Sequence, residues 1–250
     1  MKRLAIFASG RGSNFAAIIH HARMRILEDA EPYLLVTNDG NAPAVTLAKE
    51  NHIPFAFIEG IQGRKFSTKQ EREEARTDFD ERTLEILRQN RIDLVALAGF
   101  MQVLGPTIVG AYRYRIMNIH PAKDLVKFGG RGMFGERVHE AVLRSGAKES
   151  GCTVHYVDES VDGGPIILQS TVTVEPTDTP ASLAHRILIQ EHKTYSKAIQ
   201  LHVDGRISVV NHKILIDWSG DWEEKWNRRQ EAFIEKQVMI ESEFERKFST

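Results

Sequence analysis

The chain is predicted to fold as an α/β protein: a doubly wound, mostly parallel sheet with helices on both faces and a helical extension at the C-terminal end. Three observations predict this. Short apolar runs alternate with longer segments of helical periodicity, as in successive βαβ units. A glycine-rich turn, Ser9-Gly10-Arg11-Gly12-Ser13-Asn14, joins the first apolar run to the first helical pattern. Beyond Asp217 the character changes, and Trp222–Phe248 is dense in charge with no glycine or proline.

The elements follow in order. Leu4–Ala8 is an apolar strand, followed by a helix from about Asn14. Tyr33–Thr37 precedes a helix at Ala44–Asn51, and Phe55–Ile58 precedes a long polar helix ending near Asn90. The charged segment leading into that helix, Lys65–Arg76, is expected to be solvated. Leu94–Leu97 completes the alternation, which implies parallel strands with crossover helices. Next come a strand at Ile116–His120, a glycine-rich loop at Gly129–Gly135 and a helix at Glu136–Arg144. Strands at Thr153–Val157 and Ile166–Val174, a helix at Thr179–Leu201 and a hairpin of Ile207–Val210 with Lys213–Asp217 follow. This gives a main domain over residues 1–217 and an amphipathic extension over 218–250. The extension repeats apolar residues at helical spacings: Trp222/Trp226, Ile234/Val238 and Ile240/Phe244/Phe248. One such stripe fits a strap on its own domain or a homodimer contact, and the strap is expected.

A chain of 250 residues that is 42% hydrophobic can bury a full core. Lys+Arg number 33 against Asp+Glu 34, so no field of one sign argues for nucleic acid or an anionic membrane as partner. The opening apolar run is too short for a signal peptide, and no later run approaches a membrane span. Cys152 is the single cysteine, which excludes an internal disulfide and argues against a thiolate metal cage. A cytoplasmic setting is expected.

Chemistry concentrates in three places. The Ser9–Asn14 turn sits where a parallel sheet opens its ligand crevice, and its glycines and helix start suit an anion. Gly10-x-Gly12 also begins a dinucleotide fingerprint, with Asp39 after the second strand, but Phe15 stands where the third glycine belongs. No Gly-Lys-Ser/Thr follows, so a P-loop is excluded. At the end of the fifth strand, Asn118 and His120 are two residues apart and share a face. An amide that donates to an oxyanion beside a titratable imidazole suits acyl transfer. Asp162, in Val161-Asp162-Gly163-Gly164-Pro165, can bring a carboxylate to that imidazole. Thr153 and His155, on the strand leading there, are expected to support the group. Pattern alone leaves open that Asn-x-His finishes a strand and Asp-Gly-Gly makes a turn.

Taken together, four segments resemble the phosphoribosylglycinamide formyltransferase family over about residues 3–210. They are Ser9–Asn14, Ala98-Gly99-Phe100-Met101-Gln102-Val103-Leu104, Asn118-Ile119-His120-Pro121, and Asp162-Gly163-Gly164-Pro165 followed by Gln190-Glu191-His192. The resemblance implies a Rossmann-like, formyltransferase-type sheet. It also implies transfer of the formyl group of 10-formyltetrahydrofolate, as co-substrate, to the amine of glycinamide ribonucleotide in purine synthesis, without a metal. Asn118, His120 and Asp162 would be catalytic. Gly12, Ser13 and Asn14 would hold the ribonucleotide phosphate, and Glu191 its sugar or glycinamide part. Met101, Gln102, Val103 and Leu104 would form the folate wall, and Arg76 would meet the benzoyl-glutamate carboxylates.

The sequence departs from the family after Pro121, where Ala122-Lys123-Asp124-Leu125-Val126-Lys127-Phe128 replaces a Ser-Leu-Leu-Pro-like run in a loop one residue longer. The nearest rival is a 10-formyltetrahydrofolate hydrolase, which usually carries an amino-terminal regulatory domain; none is expected before Leu4. An inactive nucleotide-binding relative and a dinucleotide-dependent oxidoreductase are the remaining rivals. Formyl transfer to a tRNA is disfavoured by the balanced charge and the missing β-barrel.

Overall fold

The computed structural model describes residues 1–232. A seven-stranded sheet is ordered β3-β2-β1-β4-β5-β6-β7. Its strands are β1 (Lys2–Phe7), β2 (Ala30–Thr37), β3 (Phe55–Phe57), β4 (Leu94–Leu97), β5 (Ile116–His120), β6 (Glu149–Tyr156) and β7 (Ile166–Thr173). β1 to β5 pair in parallel. β6 and β7 run antiparallel. β7 can therefore follow β6 through the turn at 157–165 with no crossover helix, while α5 and α6 lie between β5 and β6.

Helices cover both faces, and the alternation along each strand shows why. Leu4, Ile6, Ala96, Met117 and Ile119 point into one core. It is shared with α1 (Ser13–Arg23), α2 (Pro43–Glu50), α6 (Glu136–Arg144) and α7 (Pro180–Val203). Their neighbours Ala5, Phe7, Val95, Leu97 and Ile116 point into the other, against α3 (Lys69–Gln89) and α4 (Pro106–Ala111). Strands buried on both faces must be apolar at every position, and β4 reads Leu-Val-Ala-Leu. α3 and α7 start on threonine caps: Thr68 accepts from Glu71 N–H, and Thr179 forms a reciprocal box with Ser182.

Two helices leave no mark in the periodicity. α4 has only six residues and opens on Gly105-Pro106, and α5 (Leu125–Phe128) is a single turn capped by Asp124. Both are shorter than two turns of apolar repeat, so no stripe can form. β6 also starts four residues before the expected Thr153, because Ser150 and Gly151 break the apolar run without breaking the ladder.

β8 (Ile207–Val210) and β9 (Lys213–Ile216) form the expected hairpin as a separate two-stranded sheet. Residues 222–232 are helical, and Trp222 and Trp226 pack on Ile26 and Leu201. The two indoles stack with centroids 5.8 Å apart, and Arg229 pairs with Glu28 at 2.8 Å. The expected Ile234/Val238 and Ile240/Phe244/Phe248 stripes lie outside the described residues. Among the described residues, no helix is long and apolar enough to cross a membrane.

Because β2 and β4 flank β1 on opposite sides, the chain reverses direction across the sheet between β1 and β4. A crevice opens at their carboxyl ends. Ser9 N–H bonds the Gly99 carbonyl across that gap at 3.0 Å, tying the two site loops together.

Candidate active site

The antiparallel register of β5 and β6 sets Asn118 opposite His155 and His120 opposite Thr153. Asp162 reaches the same place from the turn between β6 and β7. Its own backbone is left-handed, at φ 57°. The turn is tight because Gly164 lies against the Tyr156 carbonyl, which an added Cβ would approach to 1.9 Å.

Three side chains therefore converge on one carboxylate. Asn118 Nδ2 lies 3.3 Å from Asp162 Oδ1, His120 Nδ1 lies 3.5 Å from Oδ2, and His155 Nε2 lies 3.7 Å from Oδ1. Gly130 N–H donates to Oδ2 at 2.9 Å. Burial opposes ionisation of Asp162, yet the neighbouring His120 imidazole and the Gly130 N–H outweigh it. They hold the carboxyl below its usual range. Burial draws His120 below the usual imidazole range, against the pull of Asp162 and of the Phe128 carbonyl. That carbonyl accepts from His120 Nε2 at 2.7 Å, so the ring carries a proton on Nε2 and turns Nδ1 toward Asp162.

Thr153 donates from its hydroxyl to the Ala122 carbonyl at 2.8 Å. Gln169, on β7, donates to Thr153 Oγ1 at 2.8 Å and to the Lys123 carbonyl at 2.6 Å. Together they clasp the chain just after His120-Pro121.

At the first loop, Gly12 has φ 74°, and an added Cβ would lie 3.0 Å from that of Ala44. The chain thus turns abruptly into α1, whose start has no side-chain cap and no acidic residue in its first turn. The amides at that end and the helix dipole suit an anion. Ser13 opens the helix. Asn14 turns away from the helix start: its Nδ2 donates to Glu191 Oε2 at 2.7 Å, in contact with α7. Burial pushes the Glu191 carboxyl up, opposed by Asn14. Asn14 Oδ1 is buried with no hydrogen-bond partner among the described residues.

Phe100–Leu104 leaves the end of β4 as a wall beside the Asn118 end of β5. Met101 N–H donates to Ser9 Oγ at 2.8 Å. Gln102 is buried; its Oε1 accepts from Ile61 and Gln62 N–H at 2.9 and 3.1 Å, stitching the wall to the loop before α3. Val103 is 42% exposed and Leu104 is buried. Arg76 stands behind the wall, donating to the Leu104 carbonyl at 3.1 Å near the buried Asp80. Among the described residues, no three His, Cys, Asp or Glu are grouped to hold a metal ion.

A family model described as formyl transferase matches residues 2–199. The chloroplastic phosphoribosylglycinamide formyltransferase of Arabidopsis thaliana is 39% identical over 206 residues, covering 82% of this chain and 67% of its own length. That of Bacillus subtilis is 38% identical over 201 residues, covering 80% of this chain and 94% of its own. The chain belongs to the phosphoribosylglycinamide formyltransferase family. The crystal structure of glycinamide ribonucleotide transformylase 1 from Symbiobacterium toebii shares the fold at a TM-score of 0.75 and 31% identity, covering 86% of this chain and 94% of that one.

Within this formyltransferase fold, the segment after Pro121 becomes part of the site. That loop forms α5 and, through it, presents the Phe128 carbonyl to His120 and the Gly130 N–H to Asp162. Both are backbone groups, so no side-chain motif announces them. Sequence reasoning also missed Gln169, and Tyr195, whose buried hydroxyl bridges the Leu97 and Met117 carbonyls at 2.9 and 3.0 Å. It missed His139 as well, a buried α6 residue whose imidazole is lowered by burial and by its neighbour His120.

Proposed function

We propose that this chain transfers the formyl group of 10-formyltetrahydrofolate to the amine of 5-phosphoribosylglycinamide, in purine synthesis. The observation that carries this reading is the convergence of Asn118, His120 and His155 on Asp162 at the end of β5, in a chain of this family.

The ribonucleotide phosphate sits at the start of α1, on the amides after Gly12 and the Ser13 hydroxyl. Asn14 and Glu191 meet its sugar or glycinamide portion; the Asn14 oxygen left without a partner supports this, since it can accept from a donor on the substrate. The folate lies along Met101–Leu104, where half-exposed Val103 offers apolar contact. Arg76, which braces the wall through the Leu104 carbonyl, also offers its guanidinium to the benzoyl-glutamate carboxylates.

Attack of the amine on the formyl carbon puts negative charge on the formyl oxygen. No covalent enzyme intermediate is needed, because the amine is itself a good nucleophile. Holding two substrates in line can contribute about 7–11 kcal/mol. The Asn118 N–H directed at Asp162 spans 3.3 Å, a weak hydrogen bond, and is redirected to donate to the developing oxyanion while the proton stays on Nδ2. His120 stabilises that charge as an imidazolium, with its Nε2–H on the Phe128 carbonyl and its added Nδ1–H facing Asp162. Asp162, ionised, takes up the proton released by the amine and passes it toward the leaving nitrogen.

The balanced charge and the buried free thiol of Cys152 fit a cytoplasmic enzyme acting on small molecules. Burial of Trp222 and Trp226 against Ile26 and Leu201 supports residues 218–232 as a strap on domain 1–217 in preference to a homodimer contact.

The test is to mix the purified chain with both substrates and follow folate absorbance with and without the ribonucleotide. Turnover that requires the ribonucleotide is expected. Turnover without it would make the chain a hydrolase, and none under either condition would overturn the proposal.

A further inference from the structure

The β6–β7 ladder shifts register between Val154 and His155. His155 is 2% exposed and lies directly opposite Asn118. Its two ring nitrogens have different partners. Nδ1 is 2.9 Å from the carbonyl oxygen of Tyr156, and Nε2 is 3.1 Å from Asn118 Nδ2.

A carbonyl can only accept, so the proton belongs on Nδ1. That leaves Nε2 with a lone pair if the ring is neutral. An imidazolium would instead aim an Nε2–H at Asp162. That distance, 3.7 Å, exceeds hydrogen-bond reach, and the Asn118 amide is nearer. The amide sense of Asn118 is settled independently from the other side. Ionised Asp162 is acceptor-only, so it demands the amide nitrogen and not the amide oxygen at 3.3 Å. Two acceptors, one on each side, then require the same orientation. A flipped amide would set its oxygen against both.

We infer that His155 is a positioning residue that acts through Asn118. Its Nε2 lone pair, imposed from behind by the Tyr156 carbonyl, anchors one amide hydrogen of Asn118 and leaves the other to serve the formyl oxygen. Gly164 belongs to the same device, since the Tyr156 carbonyl can stand where it does only because the turn residue packed on it has no side chain. His155 thus supports the oxyanion donor more directly than it supports the carboxylate. The inference rests on the proposed transferase reading for its kinetics but not for its chemistry.

Nitrogen-15 spectra of the imidazoles in the full chain at neutral pH test the chemistry, with the His155 signals assigned by their loss in His155→Gln. A ring protonated on Nδ1 alone is expected; an Nε2-protonated or doubly protonated ring overturns the inference whether or not the chain is active. Kinetics test the role. His155→Leu is expected to lower kcat about 10–100-fold, with KM for either substrate changed far less. His155→Gln, whose Oε1 can accept where Nε2 did, should recover most of the loss. In an Asn118→Ala background, His155→Leu should cost almost nothing more. An equal loss in both backgrounds, or no rescue by glutamine, would show that His155 does not act through Asn118. Absence of any ribonucleotide-dependent turnover in the unaltered chain would defeat the functional proposal instead, leaving the spectra to decide the tautomer.

Discussion

Asp162 carries the most constraint for one residue. It is left-handed, a conformation that asparagine and aspartate tolerate better than other side chains, and its carboxylate meets three side chains and a backbone amide. Asp162→Asn therefore preserves shape and turn while removing the charge. We expect its melting temperature to match the parent while kcat falls about a hundredfold or more; near-normal turnover would take Asp162 out of the mechanism. Glu191 makes the opposite case. Burial raises its carboxyl, so the folded state binds a proton more readily than the unfolded chain does. Stability from this residue is greatest below the unfolded value and is lost as pH rises through the raised folded value. Glu191→Gln should accordingly be more stable than the parent at neutral pH, with the advantage shrinking on acidification in urea titrations. The same variant should raise KM for the ribonucleotide about tenfold or more, through loss of a charged partner. A variant less stable at pH 7 than at pH 5, relative to the parent, would contradict the linkage.

At the scale of elements, the start of α1 joins backbone strain to function. Gly12→Ala must hold a left-handed φ and press on Ala44, a cost of roughly 1–2 kcal/mol from the backbone alone. Chemical denaturation should show that loss, and steady-state kinetics should show KM rising for the ribonucleotide and not for the folate. A parallel rise in both would argue that the loop does not cradle phosphate. The sequence exposed this loop well, because glycine at a strand-to-helix junction has a local cause. It exposed α5 poorly. Asp124 caps that turn and could have been noticed, but a four-residue helix in a charged loop has no periodicity to read. The consequence of α5, two backbone groups delivered to His120 and Asp162, depends on where the loop returns in space.

At the scale of the molecule, chemistry and bracing are kept apart. The carboxyl ends of β1, β4 and β5 hold the chemistry. The Trp222–Trp226 stack covers Ile26 and Leu201 at the far end of α1 and α7. Trp226→Ala should therefore loosen residues 222–232 in amide exchange. It should also leave kcat within about twofold, since independent regions of a protein respond separately to substitution. A large fall in kcat would mean that the strap supports the site.

What the sequence by itself determined is whatever has a local cause: the order of strands and of the longer helices, the anion-ready turn before α1, and the identity of Asn118, His120 and Asp162 as polar residues at strand and turn ends. What only the tertiary structure decided is pairing and direction. Antiparallel β5–β6 register sets His155 against Asn118, the Tyr156 carbonyl on Nδ1 leaves Nε2 to face it, and the β6–β7 turn brings Asp162 within 3.5 Å of His120. Hydrophobic periodicity records which face a residue shows to the core, and it is the same for many partners. Hydrogen-bond partners far apart in the chain are fixed only when packing closes the sheet, so His155 was legible as a supporting residue but its partner Asn118 was not, and Gln169 and the Phe128 carbonyl had no trace in the sequence order.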